Sequence, residues 1–313
     1  MINRILLRIK IIQILYAFYK GEEKTALTVE KELFHSIEKT YDLYFHLLNL
    51  AVLITDYADS RIEYGKNKLR PTPEELNPNT RFIDNKFVAQ LRTNKQFTDY
   101  LTQRKLSWAD YPEVIKELYE EILACDFFQE YMSSEKCDYQ SDKDLWRKVY
   151  RKVILLNESL DNSIEDQNIF WIDDVEIVVS FIVKTIKRFS LQADDKQEFL
   201  PMFKDDEDID FAKKLLHGVL QNGSTYRELI DQNTQNWELD RIAFMDILIM
   251  EVAISELVDF PTIPVNVTLN EYIEIAKSYS TDKSGTFING VLDNIVRKLK
   301  EENKLIKAVV ITK

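Results

Sequence analysis

Backbone breakers are scarce along this chain, and that scarcity constrains the fold more than any other feature. Six glycines and seven prolines are spread over 313 residues. That is too few for a turn-rich β fold, and apolar residues recur between them at helical spacing. The first predicted helix covers 3–20, with Ile5, Ile9, Ile12 and Tyr16 forming an apolar stripe at intervals of four, three and four. Arg4 and Arg8 lie four apart, so their guanidinium groups share a face, and Gly21 follows as a C-cap. A longer helix is predicted over about 27–64. It stops near Gly65 and the stretch RPTPEELNPNT, where Pro71, Pro73 and Pro78 disfavour a helix and mark a linker.

Three or four amphipathic helices are predicted over 82–155. The β-branched run VEIVVSFIVKTI has strand propensity, but its length and surroundings favour a helix over 169–189. The acidic run from Asp205 to Asp210 suits a solvated turn or a helix N-terminus. A helix over 209–222 ends near Asn222-Gly223, and another runs from about Arg227 to Gln232. Leu239 to Leu257 is nearly continuous in large apolar residues, as expected of a helix at the centre of a core. Pro261 and Pro264 break it. Thr268 and Glu271 then make a capping-box pattern opening a helix over 269–280, and Ser284 caps a last helix carrying Phe287, Val291, Ile295 and Leu299. The fold class read from these patterns is all-α.

The formal net charge of -12 argues against nucleic-acid binding when taken as an average. Its distribution changes that. Residues 1–21 carry Arg4, Arg8, Lys10 and Lys20 and no acid, whereas residues 157–210 carry 15 acids against 5 bases. Arg4, Arg8 and Lys10 can reach phosphates, and Gln13 a base edge or a sugar. On periodicity alone, an ordinary solvated face on a core helix accounts for the same residues better.

Several chemistries find no support. The stretch GVLQNGST has P-loop-like glycines but no lysine before its Ser-Thr and no preceding strand. His35, His46 and His217 are isolated and unpaired with cysteine, so no zinc site is expected, and the Asp205 run lacks the spacing of a calcium loop. Cys125 and Cys137 read as reduced thiols. No catalytic residue, metal or cofactor is expected. No apolar run is long enough for a bilayer and no signal peptide is read at the N-terminus, so a cytoplasmic location without membrane association is expected.

Two segments resemble the NusB family of transcription antitermination proteins. The first is RILLRIKIIQILYAFYKG, Arg4 to Gly21. The second runs from about Phe211 to Leu299, and its strongest parts are DRIAFMDILIMEVAISEL, IPVNVTLNEYIEIAKSY and FINGVLDNI. The resemblance implies a non-catalytic, all-α bundle built from the N-terminal helices (1–70) and the C-terminal part (206–313). A partly acidic helical insertion (71–205) lies between them. It also implies binding of single-stranded boxA-type RNA together with the small ribosomal protein NusE. That pair would join an RNA polymerase antitermination complex supporting processive ribosomal RNA transcription.

Residue by residue, Arg4 and Arg8 fall where the family's arginine-rich arm lies, although Ile5 and Leu6 stand at positions that are often basic. Lys277, Lys283 and Phe287 fall in a second RNA-facing region, with Thr286 where a basic residue is common. Tyr16 and Glu256 match positions associated with the protein partner, and Asn270, Asn289, Gly290 and Asp293 match motif positions that suit helix junctions as well as contacts. This picture requires the first helix and the last hundred residues to fold together and bring Arg4 and Arg8 near Lys283 and Phe287. The depleted arginine arm also fits a different protein, a helical interaction scaffold that has lost RNA binding. An RNA methyltransferase would need a glycine-rich cofactor loop after a strand, and no such segment occurs.

Overall fold

A computed structural model describes residues 2–234 and 242–307. Among them every regular element is helical. In chain order these are α1 (Arg4–Lys20), α2 (Ala26–Leu48), α3 (Leu50–Lys66), α4 (Pro73–Leu76), α5 (Lys86–Thr93), α6 (Lys95–Arg104), α7 (Pro112–Ala124) and α8 (Asp126–Ser133). They are followed by α9 (Tyr139–Lys152), α10 (Glu158–Gln167), α11 (Val175–Arg188), α12 (Asp206–Gln232), α13 (Phe244–Asp259), α14 (Val265–Tyr279) and α15 (Ser284–Glu301). Single 3-10 turns lie at Ile154–Leu156 and Ile169–Trp171, and a longer, kinked one at Leu191–Lys196.

The chain divides into two compact units. A continuous unit holds residues 38–202, and a split unit holds residues 2–37 with those from 203 onward. The sequence-based division at 70/71 and 205/206 stands beside unit boundaries at 37/38 and 202/203. Leu239, Asp240 and Arg241, at the head of the predicted Leu239–Leu257 helix, and residues 308–313 lie outside the described residues.

In the split unit, α1 packs against α12 and α13, and α13 also packs against α14 and α15. The side chain of Asn3 caps α1 by accepting the Leu6 N–H at 3.0 Å. The predicted stripe of α1 is not its core face: Ile5 and Tyr16 are exposed, while Leu6, Leu7, Ile11, Ile12, Ile14 and Leu15 are buried. α1 is enclosed on most sides, so its apolar spacing marks no single face. Helix α13 is as central as expected, with every residue from Asp246 to Leu257 buried.

Three boundaries differ from expectation. Asn222-Gly223 ends no helix, because α12 runs unbroken through it. Gly223 is there for close packing: a Cβ would lie 2.7 Å from the Tyr19 hydroxyl. Thr268 is not a cap either. α14 starts at Val265 with Pro264 as its N-cap residue, and Thr268 and Glu271 turn to other partners. Ser284 is the first residue of α15 rather than its cap, which is Lys283.

The continuous unit is built on aromatic rings. Tyr41, Tyr44, Phe45, Phe97, Tyr100 and Phe199 form a connected cluster, with Phe45 stacked on Tyr100 at 4.1 Å. The helix predicted over 27–64 is interrupted at Asn49. The free carbonyls at the end of α2 are taken up by distant side chains. Trp108 Nε1 donates to His46 O, and the Tyr150 hydroxyl lies 3.0 Å from both Leu47 O and Leu48 O. Over 82–155 five α-helices form rather than three or four. The proline-rich stretch carries one helical turn, α4, with Pro73 in its first turn and a Thr72–Glu75 capping box. The run from Val175 to Ile186 is helical, as its length predicts.

His46 is the most pH-sensitive feature of this core. Its ring stacks on Trp108 at 4.2 Å and on Trp171 at 5.1 Å. Nε2 lies 2.9 Å from Gln167 Oε1, and Nδ1 is buried with no hydrogen-bond partner. Burial pushes the imidazole down from 6.5 to about 4, with Gln167 and Asp42 offsetting part of the effect. The unfolded chain therefore takes up this proton first as pH falls. The stabilisation is complete above pH 6.5 and is lost between 6.5 and about 4, amounting to about 3 kcal/mol. Thermal melts across that window should show the loss, and His46→Phe should flatten this part of the pH dependence. An unchanged slope in the variant would remove His46 as its source.

Candidate nucleic-acid and partner interface

The expected site residues all belong to the split unit, which gathers them around opposite ends of α13. The Arg8 guanidinium grips Glu256 with both arms, Nε to Oε2 at 2.7 Å and Nη2 to Oε1 at 2.8 Å, while Nη1 reaches Glu271 Oε2 at 3.3 Å. The same carboxylate accepts from the Thr268 hydroxyl at 2.9 Å and the Tyr272 hydroxyl at 3.0 Å. Arg8 is 3% exposed and Glu256 is fully buried. Burial pulls the guanidinium pKa down, but the bond to Glu256 and the nearby carboxylates outweigh it, leaving it above its ordinary value. Arg4, one turn earlier, lies over the Phe211 ring at 5.1 Å beside Arg8 at 5.5 Å, with looser pairs to Glu207 and Asp208. The two arginines share a face, as their spacing predicts, but for Arg8 that face points inward.

This corrects the reading of Arg8, Lys10 and Glu256 as surface groups. Lys10 is 1% exposed, and Gln13 is half-buried. The side chains of Arg4 and Arg8 are accommodated because acids and aromatic rings on α12, α13 and α14 receive their charge. Arg4 alone of the three cations keeps substantial exposure.

At the other end of α13, Tyr16 sets its ring edge-on to Phe244 at 5.6 Å and remains 39% exposed. Tyr19 also meets Phe244 at 6.1 Å, and Lys20 Nζ sits 4.4 Å above the same ring. Beneath them is a group that sequence reasoning missed. Arg227 donates to the fully buried Glu251 and covers the Tyr19 ring at 4.4 Å. Burial raises the Glu251 carboxyl above its ordinary range and the Tyr19 hydroxyl to about 12.

The α14–α15 turn reaches this same end of α13. Asp246 accepts from the Ser280 hydroxyl at 2.5 Å and the Ser284 hydroxyl at 2.9 Å, pinning the turn to the start of α13. Asp246 was also missed, because one aspartate in an apolar run carries no sequence signal of its partners. Lys283, half-buried Phe287 and Asp246 line an open groove of about 570 Å³ with Ile242 and Ala243. Lys277 lies close by and exposed. A Cβ on Gly285 would sit 3.2 Å from Lys277 Cγ, and Lys277 Nζ pairs with Glu274 at 2.6 Å. Asn270, Asn289, Gly290 and Asp293 sit on α14 and α15 themselves.

The expected meeting of Arg4 and Arg8 with Lys283 and Phe287 does not occur. Arg8 engages Glu256, near the end of α13, whereas the turn is fixed at Asp246, ten residues earlier, or about 15 Å along the helix. The residues divide into an internal clasp (Arg8, Glu256, with Arg4 at its rim) and an open edge (Lys277, Lys283, Phe287, with Tyr16 near the same end).

The clasp carries a stability prediction. Glu256→Gln leaves a buried guanidinium with only the half-buried Glu271 as counter-charge and should cost about 3 kcal/mol in chemical denaturation. Arg8→Met in the same background should recover part of that loss, because the unpaired charge is gone. A cost near zero for the single variant would mean that the pair does not hold α1.

Comparison with known proteins identifies the family. The NusB family model matches residues 172–297. Transcription antitermination protein NusB of Salinibacter ruber is 40% identical over 108 residues, covering 34% of this chain and 68% of that protein. NusB of Clostridium botulinum is 40% identical over 116 residues, covering 35% of this chain and 87% of that protein. NusB of Bacillus subtilis is 43% identical over 98 residues, covering 31% and 75%. A solved structure of T. maritima NusB shares 27% identity, covering 51% of this chain and 97% of that one, at a TM-score of 0.30 that carries no structural argument. With these proteins matched over most of their own length at this identity, the chain belongs to the NusB family.

Proposed function

We propose that this chain is a cytoplasmic, non-catalytic transcription antitermination factor. In this reading it binds single-stranded boxA-type RNA together with the small ribosomal protein NusE. It thereby enters the RNA polymerase antitermination complex that keeps ribosomal RNA transcription processive. Family membership supports the antitermination role. The observation that carries the RNA reading is the open edge at the α14–α15 turn, where Lys277 and Lys283 are exposed beside the half-buried Phe287. Ammonium groups hold phosphates, and an aromatic ring beside a groove gives a base something to stack on. Among the described residues no helix is long and apolar enough to cross a membrane.

The buried cations set the strength of this binding. Arg8 and Lys10 are enclosed, so the RNA meets chiefly Arg4, Lys277 and Lys283, and log affinity should fall with log salt by about 0.7 per phosphate contact. A shallow slope means weak RNA binding alone. A basic ribosomal protein would add charge and area, docking on the aromatic surface of Tyr16 and Phe244. In that arrangement Glu256 acts from beneath, by holding α1 in place. The burial of Arg8 and Lys10 also favours a second reading, a helical interaction scaffold that has lost RNA binding.

Titrating labelled boxA RNA with the full chain, with and without the ribosomal partner, separates the two. The antitermination reading expects about tenfold or more tighter RNA binding with the partner present, and loss of that gain in Lys283→Glu/Phe287→Ala. Partner binding with no RNA affinity under either condition would establish the scaffold. Equal RNA affinity in both would remove the cooperative step.

A further inference from the structure

The continuous unit carries a surface that the RNA reading does not use. From Asn157 to Val183 the chain has seven carboxylates and no Lys, Arg or His. In the fold, the Ile154–Leu156 turn, α10 and the start of α11 enclose an open groove of about 470 Å³. Its apolar part includes Leu156, 70% exposed, and Ile172, 43% exposed, and Ile169 nearby in the chain is 76% exposed. Large aliphatic side chains left in water this close together in sequence mark an interaction surface more often than a solvated face does.

The rim has one sign of charge. Asp161 and Glu165 lie four residues apart on α10, and Glu176 stands in the first turn of α11. Like charges four apart on one helix repel, and among the described residues no lysine or arginine lines the groove. Burial, with Glu165 and Glu158 beside it, holds the Asp161 carboxyl above its ordinary range. The sign of the rim excludes RNA and anionic lipid. It also disfavours a second copy of this chain, whose matching groove would oppose it with the same charges. What remains complementary is a cationic partner with aliphatic anchors.

We propose that this groove docks a Lys/Arg-rich amphipathic segment of another protein. An aliphatic side chain of that segment covers Leu156 and Ile172, and its basic residues meet Asp161, Glu165 and Glu176. Apolar contact supplies the anchor, and the charged rim selects the partner and speeds its encounter. This site is separate from the RNA edge and does not depend on the antitermination reading.

The test uses the full chain and two fluorescein-labelled helical peptides of equal length and charge, one of leucine and lysine, the other of serine and lysine. The proposal expects the leucine peptide to bind about tenfold or more tighter than the serine peptide. It also expects a similar loss on Glu165→Lys/Glu176→Lys and on Leu156→Ser, and none on Asp59→Lys, an exposed acid elsewhere in the unit. Circular dichroism checks folding, and should Leu156→Ser unfold, the charge variant decides. Equal binding of both peptides, or undiminished binding by the charge variant, overturns the proposal. So does a dimer in sedimentation that the groove substitutions abolish, which would give the surface to a second copy.

Discussion

The buried pair between Arg8 and Glu256 joins residues 248 positions apart and ties the first helix to the C-terminal third. Placing both charges out of water is costly, and the pair persists because the carboxylate is saturated. Both arms of the guanidinium, the Thr268 hydroxyl and the Tyr272 hydroxyl converge on it. Those four bonds come from α1 and α14, so one side chain of α13 sets the position of two other helices. Glu271, which looks in sequence like half of a capping box, supplies further negative charge to the same arginine. The Arg227–Glu251 pair beneath Tyr19 repeats the principle nearer the start of α13, and Asp246 holds the α14–α15 turn. Helix α13 thus carries three buried acids in a mostly apolar run, each receiving a different neighbour.

This use of charge explains why the open edge is small. A basic N-terminal helix is costly to enclose unless acids receive it, and here they do. What stays available to a ligand is displaced toward the far end of α13, where Lys277, Lys283 and Phe287 stand on a turn fixed from below. Two serine hydroxyls on one aspartate fix the backbone of that turn.

The continuous unit follows a different rule. Its core rests on stacked rings and neutral polar groups rather than on buried ion pairs at its centre, and His46 between two indoles is kept uncharged by that setting. Charged groups are buried there too: Asp42 is gripped by both arms of Arg104 and by the Tyr100 hydroxyl, Asp142 accepts from the Tyr131 hydroxyl, and Lys143 donates to Phe189 O.

Much of this was legible in the sequence. The scarcity of glycine and proline determined an all-helical chain, the apolar run before Leu257 determined a central helix, and the motif order from Phe211 to Leu299 identified the family, because each of these signals is local. Other features depended on groups far away in the chain. The carbonyls before Asn49 are capped by Trp108 and Tyr150, which reach them only once the chain has folded. Gly223 reads as a helix end until Tyr19 is seen against it. Arg8 and Glu256 read as surface charges, since a residue type tells which charge it carries but not what will oppose it. The tertiary structure alone decided which cations face solvent, because burial of a charge depends on a partner that spacing along one helix cannot reveal.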